Sequence, residues 1–292
     1  MAPEAKDALG APIRKKIVGE NPAVSPGVDM ADLKRKSVRG GAVTVASQVV
    51  SIGIQLTSTV VLARLLVPED YGIMAMVMAV TSFVGLFRDM GLSSAAIQRK
   101  EITSAQQNNL FWLNVALGTI LMILVSAMAP LVVWFYDKPE LKWVTVALSL
   151  GFLIGALGAQ HSVALVRNLQ FGRQAAVSIA TAVTSLIVSV SLAYVGYSYW
   201  ALVWGSLAGP LLGTILLFVL SPFHVGWFSK NAGTKAFLGF GATVTGSSIA
   251  SYLYRSLDNI LLGKFWGAQE LGLYSRGYSL LMLPITADFS SA

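Results

Sequence analysis

The sequence predicts an all-α polytopic membrane protein with about eight transmembrane helices. Of the 292 residues, 55% are hydrophobic and only 12% are charged, whereas a soluble domain carries about 25% charged residues. Apolar runs of helix length recur, and each can cross a hydrocarbon core of about 30 Å. We expect helices because backbone groups in lipid must form their hydrogen bonds within the segment, and the alternating pattern of a barrel strand is absent.

The third observation behind this fold class is an internal repeat. Residues 241–274 match residues 41–74 at a constant offset of 200 positions, without a gap. Such a fixed offset indicates duplication. Matched pairs include Gly41 with Gly241, Ser51 with Ser251, Arg64 with Lys264, Asp70 with Glu270 and Gly72 with Gly272. We therefore expect one six-helix bundle followed by the first two helices of a second, repeat-related bundle, cut short from a form with roughly 12 to 14 helices.

The chain divides into four parts. We expect a polar cytoplasmic tail at 1–40, a first six-helix transmembrane bundle at 41–220, an interfacial linker at 221–237, and the first two helices of the second bundle at 238–292. The predicted spans are 41–63, 72–97, 108–136, 143–165, 175–196, 199–220, 238–262 and 272–292. The stretch 221–235 mixes aromatic and basic residues, which suits either a segment lying on the membrane surface or a plain linker.

Charge gives the orientation. With the tail inside, the inner segments hold fifteen Lys and Arg residues and the outer segments hold five, which predicts a cytoplasmic N-terminus. The five outer residues are Arg64, Lys138, Lys142, Lys264 and Arg276. Arg64 and Lys264 are expected to be snorkelling anchors at helix ends. The tail holds no apolar stretch of a cleavable signal peptide.

Several kinds of chemistry are not encoded. There is no Cys, and the two His residues lie far apart without a metal-binding pattern. Phosphate-loop, nucleophile-elbow and zinc-protease motifs are also missing. We expect no cofactor, no metal and no enzymatic activity. The net charge of +7 fits contact with anionic membrane lipids better than contact with nucleic acid.

A polar stripe runs along the seventh predicted helix. Its members recur at helical spacing on one face: Thr243, Ser247, Ser251, Arg255 and Asp258. The first helix carries the matching positions Val43, Ser47, Ser51, Gln55 and Ser58, without charges. Arg255 lies inside the predicted span 238–262. A charged side chain within a membrane span costs at least ~2.5 kcal/mol on insertion scales, so Arg255 must be paired or hydrated. One alternative is that Arg255 forms a structural ion pair with Asp258. The other is that Arg255 supplies the cation of a water-filled cavity, where Asp258 adjusts the local charge or binds a coupling cation.

Arg88 and Asp89 interrupt the second predicted span. Neighbouring helix residues point about 100° apart, so the two side chains cannot face one partner. Arg88 lies either at the inner membrane surface, with residues 91–94 as a helix break, or in the cavity. Asp89 is a second candidate for ion coupling.

Three stretches resemble a known family. They are 62–72 (LARLLVPEDYG), 87–103 (FRDMGLSSAAIQRKEIT) and 255–284. Together they resemble the Wzx-type polysaccharide flippases of the multidrug/oligosaccharidyl-lipid/polysaccharide exporter superfamily. The resemblance implies two six-helix bundles around a cationic cavity in a bacterial inner membrane. It also implies ion-driven movement of a polyprenyl-diphosphate-linked oligosaccharide for lipopolysaccharide or exopolysaccharide biosynthesis. Arg255, and after it Arg88, match the residues expected to meet the diphosphate.

The resemblance implies partners as well. These are the lipid-linked oligosaccharide, membrane lipids, and the polymerase and glycosyltransferases of the same pathway. Two other functions stay open. A multidrug antiporter of the same superfamily would use acidic residues for organic cations, whereas this chain places Arg in its stripe. A membrane scaffold would need no buried charge.

Overall fold

The structure is a computed structural model that describes residues 30–88, 93, 96–97, 102–229, 252 and 256–286, with side chains between residues 40 and 278. These residues form helices and contain no strand, which confirms the all-α fold class. The helices are α1 Met30–Leu65, α2 Pro68–Gly85, α3 Ser104–Tyr136, α4 Leu141–Arg167, α5 Phe171–Tyr194, α6 Tyr199–Leu220, α7 at 256–265 and α8 Gly267–Thr286.

Within the described residues, five helices are long and apolar enough to cross a membrane. They are Gly40–Leu65 of α1 together with α3, α4, α5 and α6. Four of the predicted spans, from 108–136 to 199–220, agree with α3 to α6 to within about four residues, the usual error of such boundaries. Most of the predicted span 238–262 lies outside the described residues.

One helix is longer than its predicted span, and one predicted span is wrong. Helix α1 begins at Met30, inside the expected tail, because its Lys and Arg residues are good helix formers and extend the helix beyond the apolar part. Its apolar part, Gly40–Leu65, agrees with the predicted span 41–63. The predicted span 72–97 begins earlier, at Pro68, and ends at Gly85, after which residues 86–88 form a turn. Hydropathy alone does not reveal this turn because Leu86 and Phe87 are as apolar as the helix before them.

Short connections join neighbouring helices into antiparallel pairs. Thr103 begins α3 with reciprocal bonds: its hydroxyl accepts from the Gln106 amide at 3.2 Å, and the Gln106 side chain accepts from the Thr103 amide at 3.1 Å. Asp137 ends α3 in the left-handed region with φ 56°. The turns therefore place the start of α2, the end of α3 and the start of α6 at one end of the bundle, which we call the Pro68 end. The opposite end is the Arg167 end.

Small residues bring helices close together. Gly205, Gly209 and Gly213 of α6 face Ser189, Ser185 and Thr181 of α5, so close that an added Cβ would overlap each hydroxyl. Glycine and serine at such crossings are typical of membrane helix pairs. The largest buried apolar cluster joins α2, α3, α4, α6 and α8 and includes Met76, Leu141, Val144, Val203 and Leu271.

The linker after α6 is held against the first bundle. Gly226 donates its amide to Asn108 at 3.0 Å, and Trp112 donates its indole N–H to the Gly226 carbonyl at 2.9 Å. Asn109 forms two bonds with the Ser229 backbone, at 2.8 and 2.6 Å. Trp227 is 90% exposed, a position that suits an interfacial aromatic residue. The described part of the linker, up to residue 229, is therefore both tied to α3 and open on its other side.

Candidate functional site: a polar cavity with one arginine

A cavity of about 540 Å³ lies between α1, α2, α5, α6 and α8. We call it the Arg276 cavity. Its lining mixes apolar side chains with eight polar, uncharged ones: Ser51, Gln55, Ser58, Thr59, Ser185, Ser189, Ser206 and Ser275. Arg276 is the charged residue of the lining, and no carboxylate of the described residues contributes to it.

Arg276 is positioned by the ring of Tyr71. The guanidinium carbon lies 3.4 Å from the ring centroid, a cation–π contact. Tyr71 belongs to a buried cluster with Leu62, Leu66 and Ala201, so the ring has little freedom to move. Arg276 lies nine residues after the start of α8, which places it about 14 Å along the helix and near the middle of a membrane-crossing length.

The hydroxyl groups of the cavity present acceptor atoms. Thr59 donates to the Gln55 carbonyl at 2.9 Å, Ser206 to the Val203 carbonyl at 2.8 Å, and Ser275 to the Gly272 carbonyl at 3.1 Å. Because each proton is committed to the residue's own helix, the oxygen lone pairs remain available to donors. The cavity therefore offers one cation together with acceptors suited to hydroxyl-rich molecules.

The structure brings part of the predicted stripe to this cavity. Ser51, Gln55 and Ser58 of α1 line it. Ser47 does not, because its hydroxyl donates to the Thr44 carbonyl at 2.8 Å on an exposed part of α1. The predicted site residues Ser247, Ser251, Arg255 and Asp89 lie outside the described residues, and Thr243 of the stripe does too.

Asp258 lies away from the Arg276 cavity. Its carboxylate accepts from the Tyr274 hydroxyl at 2.6 Å and from the Asn259 amide at 2.8 Å. The bond from Tyr274 ties α7 to α8, whereas the bond from Asn259 lies within α7. The role of Asp258 in ion coupling stays a prediction.

Arg88 lies in a second, separate pocket of about 330 Å³ that shares no lining residue with the Arg276 cavity. An added Cβ at Gly155 would lie 3.2 Å from the Arg88 Nη1 atom. Gly155 is close to the midpoint of α4, Leu141–Arg167. The Arg88 guanidinium therefore lies beside the middle of α4, in a pocket separate from the Arg276 cavity. Its two expected positions, at the inner membrane surface or in the substrate cavity, stay predictions.

Arg276 lines the cavity although the sequence pattern does not single it out. The predicted span begins at 272, which makes Arg276 an outer-segment charge, whereas α8 begins at Gly267 and places Arg276 well inside the helix. A signal was present: Arg276 lies one helical turn after Gly272, on the same face as the repeat-matched glycine. The buried Asn114 was missed as well, because an isolated Asn gives no motif.

The helices and their arrangement define a multi-pass membrane protein. Residues 61–290 match the family model described as polysaccharide biosynthesis protein. The chain belongs to this family, and the resemblance to the Wzx-type proteins is confirmed.

Named relatives come from several bacteria. The teichuronic acid biosynthesis protein TuaB of Bacillus subtilis (strain 168) is 30% identical over 210 residues, covering 70% of this chain and 43% of TuaB. The lipopolysaccharide biosynthesis protein WzxC of Escherichia coli (strain K12) is 25% identical over 86% of this chain and 52% of WzxC. The succinoglycan biosynthesis transport protein ExoT of Rhizobium meliloti (strain 1021) is 22% identical over 82% of this chain and 49% of ExoT. The chain spans about half the length of these relatives.

Among solved structures, the MATE multidrug transporter DinF-BH aligns with 88% of this chain and 62% of its own, with a TM-score of 0.45 and 15% identity. At that level the likeness supports no inference about function.

Proposed function

We propose that this chain forms part of a transporter that moves a polyprenyl-diphosphate-linked oligosaccharide across the cytoplasmic membrane of a bacterium. The observation that carries the proposal is the Arg276 cavity, which combines one half-buried cation with hydroxyl and amide groups between membrane helices. Membership of the polysaccharide biosynthesis family supports the substrate class. In this proposal the protein is a transporter and not an enzyme.

The substrate's two chemical parts match the two parts of the lining. A diphosphate needs a cation in a poorly solvated place, where a charge interaction is stronger than in water. Arg276, held by Tyr71, supplies that cation. Sugar hydroxyls need acceptors, which Thr59, Ser206 and Ser275 provide. Organic cations, the substrates of the alternative antiporter, would need carboxylates that the described lining does not contain.

The site proposed for the whole protein includes the predicted residues beyond this cavity. Arg255, with Ser247 and Ser251 on the same helical face, would add a second cation and two hydroxyls. We further propose that the N-terminus is cytoplasmic, that an ion gradient drives the cycle, and that polymerase and glycosyltransferases of the pathway are partners.

The test uses a strain deleted for the gene with its glycosyltransferases intact. Lipid extracts are assayed for polyprenyl-diphosphate oligosaccharide and for the leaflet that holds it. We expect the intermediate to accumulate on the cytoplasmic side while surface polymer is lost. Unchanged intermediates and polymer, together with new sensitivity to cationic drugs, would contradict the proposal and support the antiporter.

A further inference from the structure

The pocket around Arg88 contains an unexplained polar group. Asn114 of α3 is only 2% exposed, and within the described part of the chain neither its Nδ2 nor its Oδ1 atom has a hydrogen-bond partner. The side chain lines the pocket. Buried polar groups are almost always hydrogen-bonded, so an unpaired amide facing a cavity indicates that something else occupies the cavity.

The position of Asn114 is fixed by close helix packing. Gly118, one turn further along α3, lies against α4 so closely that an added Cβ would be 2.5 Å from the Ala156 Cβ and 2.8 Å from the Phe152 carbonyl oxygen. Asn114 and Gly118 share a face of α3. The Asn114 amide is therefore held against α4 and cannot swing out to find a partner.

A second donor comes from α4. The Gln174 side chain donates to the Ser162 Oγ atom at 3.1 Å, so Ser162 accepts this bond and keeps its own proton. Ser162 lines the pocket. Its hydroxyl can therefore donate to an occupant.

The third donor is Arg88, whose guanidinium lies over Gly155. Arg88 is exposed, so an occupant can reach it. No acidic side chain of the described residues lines the pocket. A guanidinium, an amide and a hydroxyl converge here from three separate parts of the fold, a donor set that suits an oxyanion.

The wall of the pocket at Ile97 is also held in place. Arg167 donates its guanidinium to the Ala96 carbonyl, and Ala96 is fully buried against Leu110 and Val163. This contact fixes the position of Ile97, which lines the pocket. The described walls of the pocket on α3, on α4 and at Ile97 are therefore held by packing, which lowers the cost of ordering them on binding.

We propose that Arg88, Asn114 and Ser162 form a binding pocket for a single phosphate group, separate from the Arg276 cavity. The volume of about 330 Å³ is at the lower end for ligand sites, with room for a phosphate and a few further atoms but not for an oligosaccharide. The phosphate belongs either to the head group of a membrane phospholipid or to inorganic phosphate. This proposal does not depend on the transported substrate.

The experiment uses the purified full-length protein. One arm measures binding of radiolabelled inorganic phosphate by equilibrium dialysis in detergent, at constant ionic strength. The other arm extracts the protein from phosphatidylcholine vesicles containing phosphatidylglycerol and counts retained phosphatidylglycerol by native mass spectrometry. Saturable binding in the first arm identifies free phosphate, and retained lipid in the second identifies the head group.

Three variants test whether the measured binding takes place in the pocket. Arg88→Gln is expected to weaken the observed binding about tenfold or more, because hydrogen bonds to a charged group are the strongest of the set. Asn114→Leu keeps the branched shape and the number of non-hydrogen atoms of the side chain, removes the unpaired amide and is expected to weaken binding several-fold. Arg173→Gln is the control: it removes the same charge at the Arg167 end, where Arg173 bonds to Gln170 and to the Leu220 carbonyl outside the pocket.

Two results would overturn the proposal. The first is wild-type protein that binds neither probe, which would mean that the pocket holds water only. The second is binding that Asn114→Leu and Arg88→Gln leave at the level of Arg173→Gln. If Arg88→Gln does not fold, Asn114→Leu decides alone, since it removes an unpaired buried group and is expected to fold.

Discussion

Gly72 and Gly272 make reciprocal contacts across the crossing of α2 and α8. An added Cβ at Gly72 would overlap the carbonyl oxygen of Ala268, and one at Gly272 would overlap the carbonyl oxygen of Pro68. Gly272 and Ala268 are the residues 200 positions after Gly72 and Pro68. The contact of Gly72 with Ala268 thus becomes the contact of Gly272 with Pro68 when the two copies are exchanged. Contacts that exchange in this way are those of two copies related by a twofold axis. The crossing therefore supports the proposed duplication and places the axis beside these two glycines.

Gly72→Ala and Gly272→Ala should each destabilise the protein. The new methyl group meets backbone, which cannot move aside as a flexible side chain can, so α2 and α8 must separate. We expect a loss of about 1–3 kcal/mol for each variant, the usual cost of overpacking. The measurement is the free energy of unfolding in detergent. The double variant should lose less than the sum, because the first separation relieves the second clash.

The control for these variants is Gly53→Ala, in the interior of α1. An added Cβ at Gly53 meets nothing within 4 Å. We expect no loss and a gain of up to about 1 kcal/mol, because Ala is the better helix former. If Gly72→Ala and Gly272→Ala behave like Gly53→Ala, the close crossing of α2 and α8 is wrong.

Asp70→Ala should destabilise the Pro68 end of the bundle. Asp70 is 4% exposed, and its carboxylate accepts from the Val67 amide at 3.1 Å and from the Ser198 hydroxyl at the start of α6. Because hydrogen bonds to a charged group are the stronger ones, we expect the loss of both to cost about 1–3 kcal/mol. Thermal unfolding in detergent measures the effect.

Glu69→Gln is the matched control for Asp70→Ala. Glu69 is the neighbouring residue and pairs with Lys138, but 54% of its side chain is exposed. Exposed ion pairs contribute about 0–1 kcal/mol. Equal losses from Asp70→Ala and Glu69→Gln would contradict the role given to the Ser198–Asp70 bond.

Asn109→Ala should release the linker from α3. The variant removes both bonds to the Ser229 backbone and leaves Trp112 and Asn108 to hold Gly226. We expect cleavage within 221–229 by added protease to become several-fold faster, because proteolysis follows the population of the opened segment. Gln107→Ala, a neutral change two residues away, should leave the cleavage rate unchanged. Cleavage of both variants at the wild-type rate would show that the Asn109 bonds do not hold the linker on α3.

The sequence predicts most of the helices because hydropathy reports directly on the cost of burying backbone and side chains in lipid. It predicts the repeat because duplication preserves spacing, which Gly72 and Gly272 still show. It does not locate the end of α2, since Leu86 and Phe87 carry the apolar pattern past Gly85 into the turn. The three stripe residues Ser51, Gln55 and Ser58 could be found from helical periodicity alone, because α1 has one polar face.

Arg276 and Asn114 could not be assigned from sequence for a physical reason. A charge near a predicted helix end suits a loop anchor as well as a cavity, and only the true start of α8 at Gly267 separates the two. An isolated Asn becomes informative only when its neighbours leave it buried and unpaired, which is a property of the α3–α4 crossing and not of residue 114 itself.

Conservative replacement of the cation should keep part of the function. Lys supplies the charge of Arg but lacks the planar fork and the strong stacking on Tyr71. We therefore expect Arg276→Lys to retain partial polymer export, since a diphosphate needs charge more than fork geometry. Arg255→Lys is expected to behave in the same way, and Arg255→Ala to abolish export while the protein still inserts in the membrane. Quantifying surface polymer against membrane-inserted protein checks both positions.

The most direct measurement of the central claim compares Arg276→Gln with Arg64→Gln in the deletion strain. Both variants remove one positive charge, but Arg64 is exposed at the end of α1 and does not line the cavity. Surface polymer and lipid-linked oligosaccharide are quantified at matched protein levels. We predict that Arg276→Gln lowers export about tenfold or more, as expected for the loss of a charged contact, and that Arg64→Gln exports normally. Wild-type export by Arg276→Gln would contradict the account.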